Sequence, residues 1–557
     1  MGEIVLRSWF GCFLGLVAMV CLIPAAVIGE SPSASSTPEL PRRSVDTNYV
    51  SPSGQTLTVP AGGNFQAALD AAKPGDVIAL EAGATFNGPF RLPNKPGSGW
   101  IVVRTSAPDS SLPPPETRVN PSYAGVMPKL VAASGSVIGT APGAHHYRFI
   151  GIEIQPRNGV FLYNLVQLGA AETAVENLPH HIIFDRCFLH GDPKKGTRRG
   201  VAMNARDVAV IDSYLADFKE AGADSQAIAG WNGPGPFKIV NNYLEGAGEN
   251  VMFGGADPSI PNLVPSDIEI RRNQFSKPLS WKVGDPSYAG MPWTIKNLFE
   301  LKNARRVLVE GNLFERNWVH AQSGFGILFT VRNQDGSAPW SVVEDVTFAH
   351  NILRHGASGI NILGRDDKHP SQQTKRILIK NNLFYDIGGV RWGGDGRLLQ
   401  LLGGTVDVVI DHNTALQTGT ILMVEGAAHM GFVFRNNIVP HNAYGIIGSG
   451  SGVGRPTLTT FFPGGLIRKN VIVGGNAPQY PPDNFFPASL IDVGFVDRSR
   501  GDYRLAAFSA YKRAGTDGKD LGVDFDALDG AMAGSSQDRL SRHAPSRIGT
   551  SGDRAGG

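Results

Sequence analysis

From about residue 147 onward, apolar and polar positions alternate in a unit that recurs along the chain: a short alternating run, one or two polar residues, an asparagine, then a second apolar run. Phe237-Lys238-Ile239-Val240-Asn241-Asn242-Tyr243-Leu244 and Val307-Leu308-Val309-Glu310-Gly311-Asn312-Leu313-Phe314 show its form. The asparagine slot holds Asn242, Asn273, Asn312, Asn351, Asn382, Asn413, Asn437 and Asn470, with Cys187 and Ser213 in two earlier copies. Period-2 alternation places one face of each strand inside. Spacings that vary between copies suit coils that share a core but carry loops of different length. If each unit is one coil, equivalent residues stack at about 4.8 Å and the asparagines form a ladder, each amide bonding the next. Independent hairpins would need tight turns of the Asn-Gly kind, which the units lack. The pattern predicts an all-β, single-stranded, right-handed parallel β-helix of roughly a dozen coils.

Each unit carries another strand before its asparagine segment, as at 298–302, 326–332, 359–364 and 398–402. Stacked in register, these make one sheet. The long insertions 254–265, 276–294, 333–341 and 364–374 fall beside it, which marks that side as the binding face. At the N-terminal end Asn64 caps a predicted helix over 65–72 that covers the open end of the solenoid, where a strand edge and core would otherwise be exposed. The last coil is expected to close near 495–505. The division is therefore a leader or anchor at 1–29, a Ser/Pro-rich linker at 30–48, the β-helix at 49–530 and a disordered tail at 531–557.

Composition fits this picture. Of 557 residues, 69 are glycine, and charged residues make up 18%, as suits many short strands joined by tight turns. The formal charge is +2 and no basic run is interleaved with aromatics, which argues against a nucleic-acid partner. Arg7 followed by the apolar run 9–28 reads as an export signal, with a membrane anchor as the alternative if it stays uncleaved. Export to the periplasm or beyond follows, as a monomer. Removal of the leader leaves Cys187 as the sole cysteine, so no internal disulfide can form.

The entry stretch Phe65-Gln66-Ala67-Ala68-Leu69-Asp70-Ala71-Ala72-Lys73-Pro74-Gly75-Asp76-Val77-Ile78, the asparagine-slot coils and the closing Gly515-Thr516-Asp517-Gly518-Lys519-Asp520-Leu521-Gly522 resemble secreted bacterial right-handed parallel β-helix proteins. The resemblance covers roughly residues 50–528. It implies the fold shared by pectate lyases, polygalacturonases and alginate lyases, and polysaccharide as the partner. It does not choose an activity, because that broad group includes epimerases and binding proteins.

On the presumed binding sheet, alternation buries Phe299, Leu301, Ile327, Phe329, Ile360 and Ile362. It turns Glu300, Lys302, Thr330, Arg332 and Asn361 outward, with Glu249, Asn250, Arg365, Asp366, Asp367 and His369 at the edges. Such a cluster suits a lyase that cleaves uronate-containing glycan by β-elimination. Lys302 or Arg332 would take the proton α to the uronic carboxylate, while Ca²⁺ or another cation neutralises that carboxylate. It also suits a hydrolase using Asp366 and Asp367 as acid and base. Polygalacturonases, which the fold resembles, carry an Asp pair but also a Gly-His-Gly; here the nearest approach is Arg354-His355-Gly356, upstream of the pair. The plainer reading of Glu300 and Lys302 is a ladder of cross-strand charge pairs. Trp281 and Trp340, in or beside loops, are candidates for stacking on sugar rings, against ordinary loop packing. A glycan-binding or structural surface solenoid without catalysis stands as the alternative to an enzyme. Asp517, Asp520, Asp524 and Asp526 do not match the spacing of a Ca²⁺-binding EF-hand loop.

Overall fold

The computed structural model describes residues 37–533. The expected leader and all but the first three residues of the expected tail lie outside the described residues.

Three parallel sheets, here A, B and C in chain order, hold 14, 13 and 12 strands, and each coil adds one strand to each. A typical coil runs Ala304–Glu310 in sheet A, Leu313–Asn317 in sheet B and Phe325–Thr330 in sheet C. Pairing then passes to the equivalent strand one coil on, as in Val307↔Val346, Leu313↔Ile352 and Ile327↔Ile360. This is the right-handed parallel β-helix that the alternation implies. One apolar column per inward position runs through the core, with Phe149 stacked on Phe184 at 5.1 Å and Phe275 on Phe314 at 4.4 Å.

The A-to-B corner explains the asparagine slot. The residue before it is left-handed in coil after coil: Asp212, Asn241, Arg272, Gly311, His350, Asn381, His412, Asn436 and Lys469 all have positive φ. That bend turns the following asparagine inward, where it is wholly buried. The Asn312 carboxamide donates to Asn351 Oδ1 at 3.0 Å and to the Ile270 carbonyl at 2.9 Å, while its own oxygen accepts the Asn273 backbone N–H at 2.9 Å. The chain of bonds begins where the Cys187 N–H meets Ser213 Oγ at 3.0 Å. It ends one rung beyond the predicted set, at Asn484, whose oxygen accepts from Asn470. Side-chain amides thus satisfy corner groups that water cannot reach.

Both ends are covered. The helix Phe65–Ala71 has Asn64 as its cap, accepting from the Ala67 N–H at 3.0 Å, and buries Phe65 and Leu69 against the first coils. At the other end a helix at Arg455–Phe461 buries Leu458 and Phe461.

Two expectations need correction. The stretch 495–505 is no coil: Phe495–Asp497 and Asp502–Leu505 form a two-stranded antiparallel ribbon. With the helix Phe525–Ala531 it lies on sheet B, where Tyr503, Val523, Phe525 and Leu528 cover Leu313, Ile352 and Leu383. Apolar alternation in so short a run cannot tell a ribbon from a coil. The second correction is the linker. Its described part is an extended strap along sheet A, held by Arg42 N–H to Asp267 (2.9 Å), Glu39 N–H to Asp345 (3.0 Å) and Arg148 to the Thr47 carbonyl (2.9 Å), with Val45 buried. Serine and proline signalled the lack of regular structure but not the carboxylates waiting on the sheet.

The ladder gives a stability prediction. Asn312→Ala leaves the Asn273 N–H buried without a partner, a deficit of about 1–3 kcal/mol, and removes the side-chain donors to the Asn351 amide oxygen and the Ile270 carbonyl. Denaturant unfolding should show a loss of roughly 3 kcal/mol; a loss under about 1 kcal/mol would mean the corners do not depend on the amide.

Candidate functional site

The candidate site grows from a change of phase in sheet C. Two consecutive residues point inward at the start of each strand: Leu165 with Val166, Ala227 with Ile228, Leu298 with Phe299 and Ile421 with Leu422 all belong to the core. The residue before such a pair therefore faces out. This outward column reads Arg199, Gln226 and Glu249 in register, continued by Asn297, which precedes Leu298. Three residues further along each strand, a second outward column reads Met252, Glu300, Leu328 and Asn361.

Polar side chains join across these columns into one network. Arg199 Nε donates to Gln226 Oε1 (3.0 Å), and Gln226 Nε2 donates to Glu249 Oε2 (2.7 Å). The other Glu249 oxygen faces the Lys296 ammonium at 3.7 Å, which also pairs with Asp224 at 2.5 Å. Asn297 Nδ2 donates to Glu300 Oε2 (3.0 Å), Thr330 Oγ1 to Glu300 Oε1 (3.1 Å), and Lys302 Nζ lies 3.8 Å from the same oxygen. Glu249 is fully buried and Glu300 nearly so, whereas the Lys296 and Lys302 side chains retain 17% and 15% exposure. The carboxylates form the floor and the ammonium groups the solvent-facing front.

Burial, the neighbouring Glu300 and Asp224 push the Glu249 carboxyl up to about 7, against the pull of Lys296 and Lys302. Lys296 is also raised: burial opposes its charge, but Glu249 and Asp224 hold its pKa above the ordinary lysine value. Behind the corner, Lys277 is buried whole, its Nζ donating to the carbonyls of Gly246, Ala247 (3.0 Å) and Gly248 (3.3 Å) and to Asn250 Oδ1 (3.1 Å). Burial lowers it to about 7.

Of the residues singled out from the sequence, Glu249, Glu300 and Lys302 meet here, and Asn361 lies two coils on in the Glu300 column. Asn250 does not join them. It occupies the inward column of Ala227 and Leu298, with its amide on the Leu244 and Ser276 carbonyls, so it is interior structure and not a substrate contact. Arg332 cannot serve as a base. It pairs with Asp366 at 2.7 Å and with Asp367; burial opposes its charge, but the two carboxylates raise its pKa. That pairing also removes Asp366 and Asp367 as an acid–base couple. The Asp366 side chain is 1% exposed; against burial, the Lys368 and Asn333 N–H groups and Arg332 hold its carboxyl below its ordinary value. It anchors a loop, in which Arg365 bonds the Ser371 carbonyl and His369 sits against Gly336.

The tryptophans divide likewise. Trp281 is buried with Trp293, Trp318 and Trp392, and Lys219 lies over Trp281 and Trp293 at 5.0 and 5.1 Å; it packs a loop and presents no platform. Trp340 donates to the Leu263 carbonyl at 3.0 Å, closing one long loop on another, as does Asp257 by accepting from Ser337. The aromatics that do face the site are Tyr163, 52% exposed, and half-buried Trp231, with Arg199 5.3 Å from each ring. Sequence reasoning missed Arg199, Gln226, Asp224, Lys296 and Asn297. Their signal was the phase change, readable only as two adjacent apolar residues at the head of each strand.

The Ca²⁺ expectation was tested against the same residues. Buried Glu249 Oε1 and Asn297 Oδ1 have no hydrogen-bond partner and are the right donor type. Yet Lys296, Lys302 and Arg199 already match the carboxylates of Glu249, Glu300 and Asp224, so the cluster offers no net negative charge and does not fit the ion. No step is derived through Ca²⁺. Three of the four aspartates near the C-terminal end are engaged as well: Asp517 with His412 at 3.2 Å, Asp520 with Lys512 at 2.7 Å and Asp524 with Lys519 at 3.5 Å.

No family model and no curated protein matches the chain. Among solved structures, it is similar to the catalytic unit of a thermostable GH87 alpha-1,3-glucanase from Streptomyces thermodiastaticus, with 11% identity over 80% of this chain and 72% of that one and a TM-score of 0.45. It is also similar to a mannuronic acid-specific polysaccharide family 6 lyase from human gut microbiota (12% identity, 81% of this chain and 91% of that one, TM-score 0.42) and to pectate lyase Pel9A (14%, 84% and 96%, TM-score 0.33). At such identities and scores these likenesses carry no inference about the chemistry of this chain. Among the described residues, no helix is long and apolar enough to cross a membrane.

The raised Glu249 pKa has a measurable sign. The folded carboxyl keeps its proton up to about pH 7, against an ordinary value of 4.5. The native state thus binds more protons between those values, and this group makes stability fall as pH rises through the window. Glu249→Gln should therefore gain on the wild type from pH 4.5 to 8, by about 1–3 kcal/mol in urea unfolding. A constant difference across that range would show that the carboxyl is not held protonated.

Proposed function

We propose that this protein is a polysaccharide-acting enzyme whose substrate lies along the outward face of sheet C, and that its reaction is β-elimination on a uronate-containing chain. The observation that carries the reading is the Glu249–Glu300 floor, with one carboxyl titrating near neutrality beneath the ammonium groups of Lys296 and Lys302. β-Elimination requires two things of a protein. The uronate carboxylate must be neutralised so that the adjacent C–H becomes acidic, and a group must take that proton near neutral pH; a C=C bond then forms as the C–O bond to the departing sugar breaks, and that oxygen takes a proton from water.

Lys296 and Lys302, at the solvent-facing front, meet the first need; Arg199, three coils away, would hold another anionic sugar of the same chain. Glu249 meets the second, since a carboxyl pushed up to about 7 is a stronger base than an ordinary one. This reassigns Lys302, read from the sequence as the base, to charge neutralisation, because its Nζ is already paired with Glu300. Tyr163 and Trp231 add ring faces on the earlier coils, where a sugar can stack. Coils spaced about 4.8 Å apart give a row of repeated positions close to the repeat of an extended sugar chain.

A second reading rests on the same carboxylates: a hydrolase with Glu249 as acid and Glu300 as its partner, in place of the Asp366–Asp367 pair. The two reactions differ in product. Purified protein incubated with a panel of acidic polysaccharides should produce the ultraviolet absorbance of an unsaturated uronate. Glu249→Gln and Lys302→Ala should each lower that rate by at least about 100-fold. New reducing ends without absorbance would replace the lyase with the hydrolase. If neither appears while the polysaccharide still binds, the protein is a glycan-binding solenoid.

A further inference from the structure

On sheet A, at the N-terminal end of the solenoid and on a different sheet from the candidate site, two adjacent coils each begin a strand with a histidine pair: His145-His146 and His180-His181. His145 and His180 are register partners. His146 and His181 both have positive φ, 59° and 54°, a backbone bend that turns the second ring of each pair alongside the first. The four rings form two stacks: His145 on His180 at 4.8 Å, 9° from parallel, and His146 on His181 at 4.5 Å, 11° from parallel. Within each pair the Nδ1 atoms approach to 2.7 Å. Ring nitrogens of His146, His180 and His181 all lie within 4.8 Å of one another, and all three residues are half-buried.

We propose that His146, His180 and His181 bind one divalent transition-metal ion of the zinc class and so pin these two coils together. Imidazole is the preferred donor of such ions, whereas Ca²⁺ and Mg²⁺ take oxygen ligands. Three nitrogens leave the fourth tetrahedral position to His145 or to Asp207, whose Oδ2 is 3.9 Å from His181 Nδ1. Trp100 walls the cluster, its ring 5.3 Å from that of His146 and 6.3 Å from that of His181. Arg206, register partner of His180 in the next coil, is a nearby cation that opposes the ion. A neutral ligand set with a carboxylate at its rim offsets it. Packing alone explains stacked rings. The Nδ1···Nδ1 hydrogen bonds join the rings of each pair, and the stacking of His146 on His181 brings nitrogens of both coils to one point.

The test uses untagged full-length protein stripped with chelator. Zn²⁺ titrated by calorimetry should bind one equivalent and raise Tm, and Co²⁺ should give the visible bands of a low-symmetry nitrogen site. His146→Gln with His181→Gln should weaken Zn²⁺ binding by at least about tenfold and abolish the Tm gain. His355→Gln, on sheet B, should change neither. To separate lost binding from lost folding, circular dichroism and the metal-free Tm of each variant are compared with the wild type. A well-folded double variant that still binds one Zn²⁺ at wild-type affinity would overturn the proposal, as would wild type that binds none.

Discussion

Parallel register is the constraint on which everything else in this molecule rests. Once each strand pairs with its equivalent one coil away, any residue type repeated at a given position becomes a column about 4.8 Å per step. The A-to-B corner shows how strictly this binds. A left-handed residue followed by an inward amide satisfies the corner only if the next coil presents an oxygen at the same height, and from Cys187 to Asn484 the next coil does. Serine can start the run because its hydroxyl both donates and accepts. The ladder tolerates loops of unequal length because they leave the stack elsewhere, mostly between sheets C and A.

The same rule explains why the candidate site holds so many buried charges. An outward column on sheet C lies beneath the long loops, so groups that would be solvated on a bare sheet are covered. A covered carboxylate is costly unless donors and cations surround it. Glu300 receives Asn297, Thr330 and Lys302. Glu249 receives Gln226 and a more distant Lys296, leaves one oxygen without a hydrogen bond, and titrates high as a result. Two carboxylates of like type on adjacent coils thus differ in their partners: three for Glu300, and a looser set for Glu249.

Most of the fold was legible because its signals are local. Alternation, the asparagine slot and the Asn64 cap each need only a few residues of context. What escaped depends on contacts far apart in sequence. Asn250 was placed with the edge residues of the binding sheet because nothing local marks that two successive residues point inward there. Trp281 looked like a platform until Trp293, Trp318 and Trp392 closed around it. Arg332 looked like a free base because Asp366 and Asp367, more than thirty residues later, are not visible as its partners in a linear reading. The strap failed for the same reason: nothing in 37–48 announces Asp267 or Asp345. In the site, Glu249, Glu300 and Lys302 were found by alternation, but Lys296 lies just before its strand, where alternation says nothing.

Stacking also sets which residues can repeat. Like charges at one position in successive coils repel, and the outer face of sheet A answers by alternating sign: Asp267 pairs with Arg306 at 2.7 Å, and Asp345 pairs with Arg376 at 2.6 Å. Aromatic residues repeat freely, as Tyr214 on Tyr243 at 4.3 Å shows. Histidine belongs to both groups, because burial first and the neighbouring rings second favour the neutral form, and a neutral imidazole is at once a stacking ring and a metal ligand. A repeat that would be excluded for lysine is therefore open to His145-His146 and His180-His181. The regularity that forces opposite charges apart into pairs elsewhere on sheet A is what brings these four rings together.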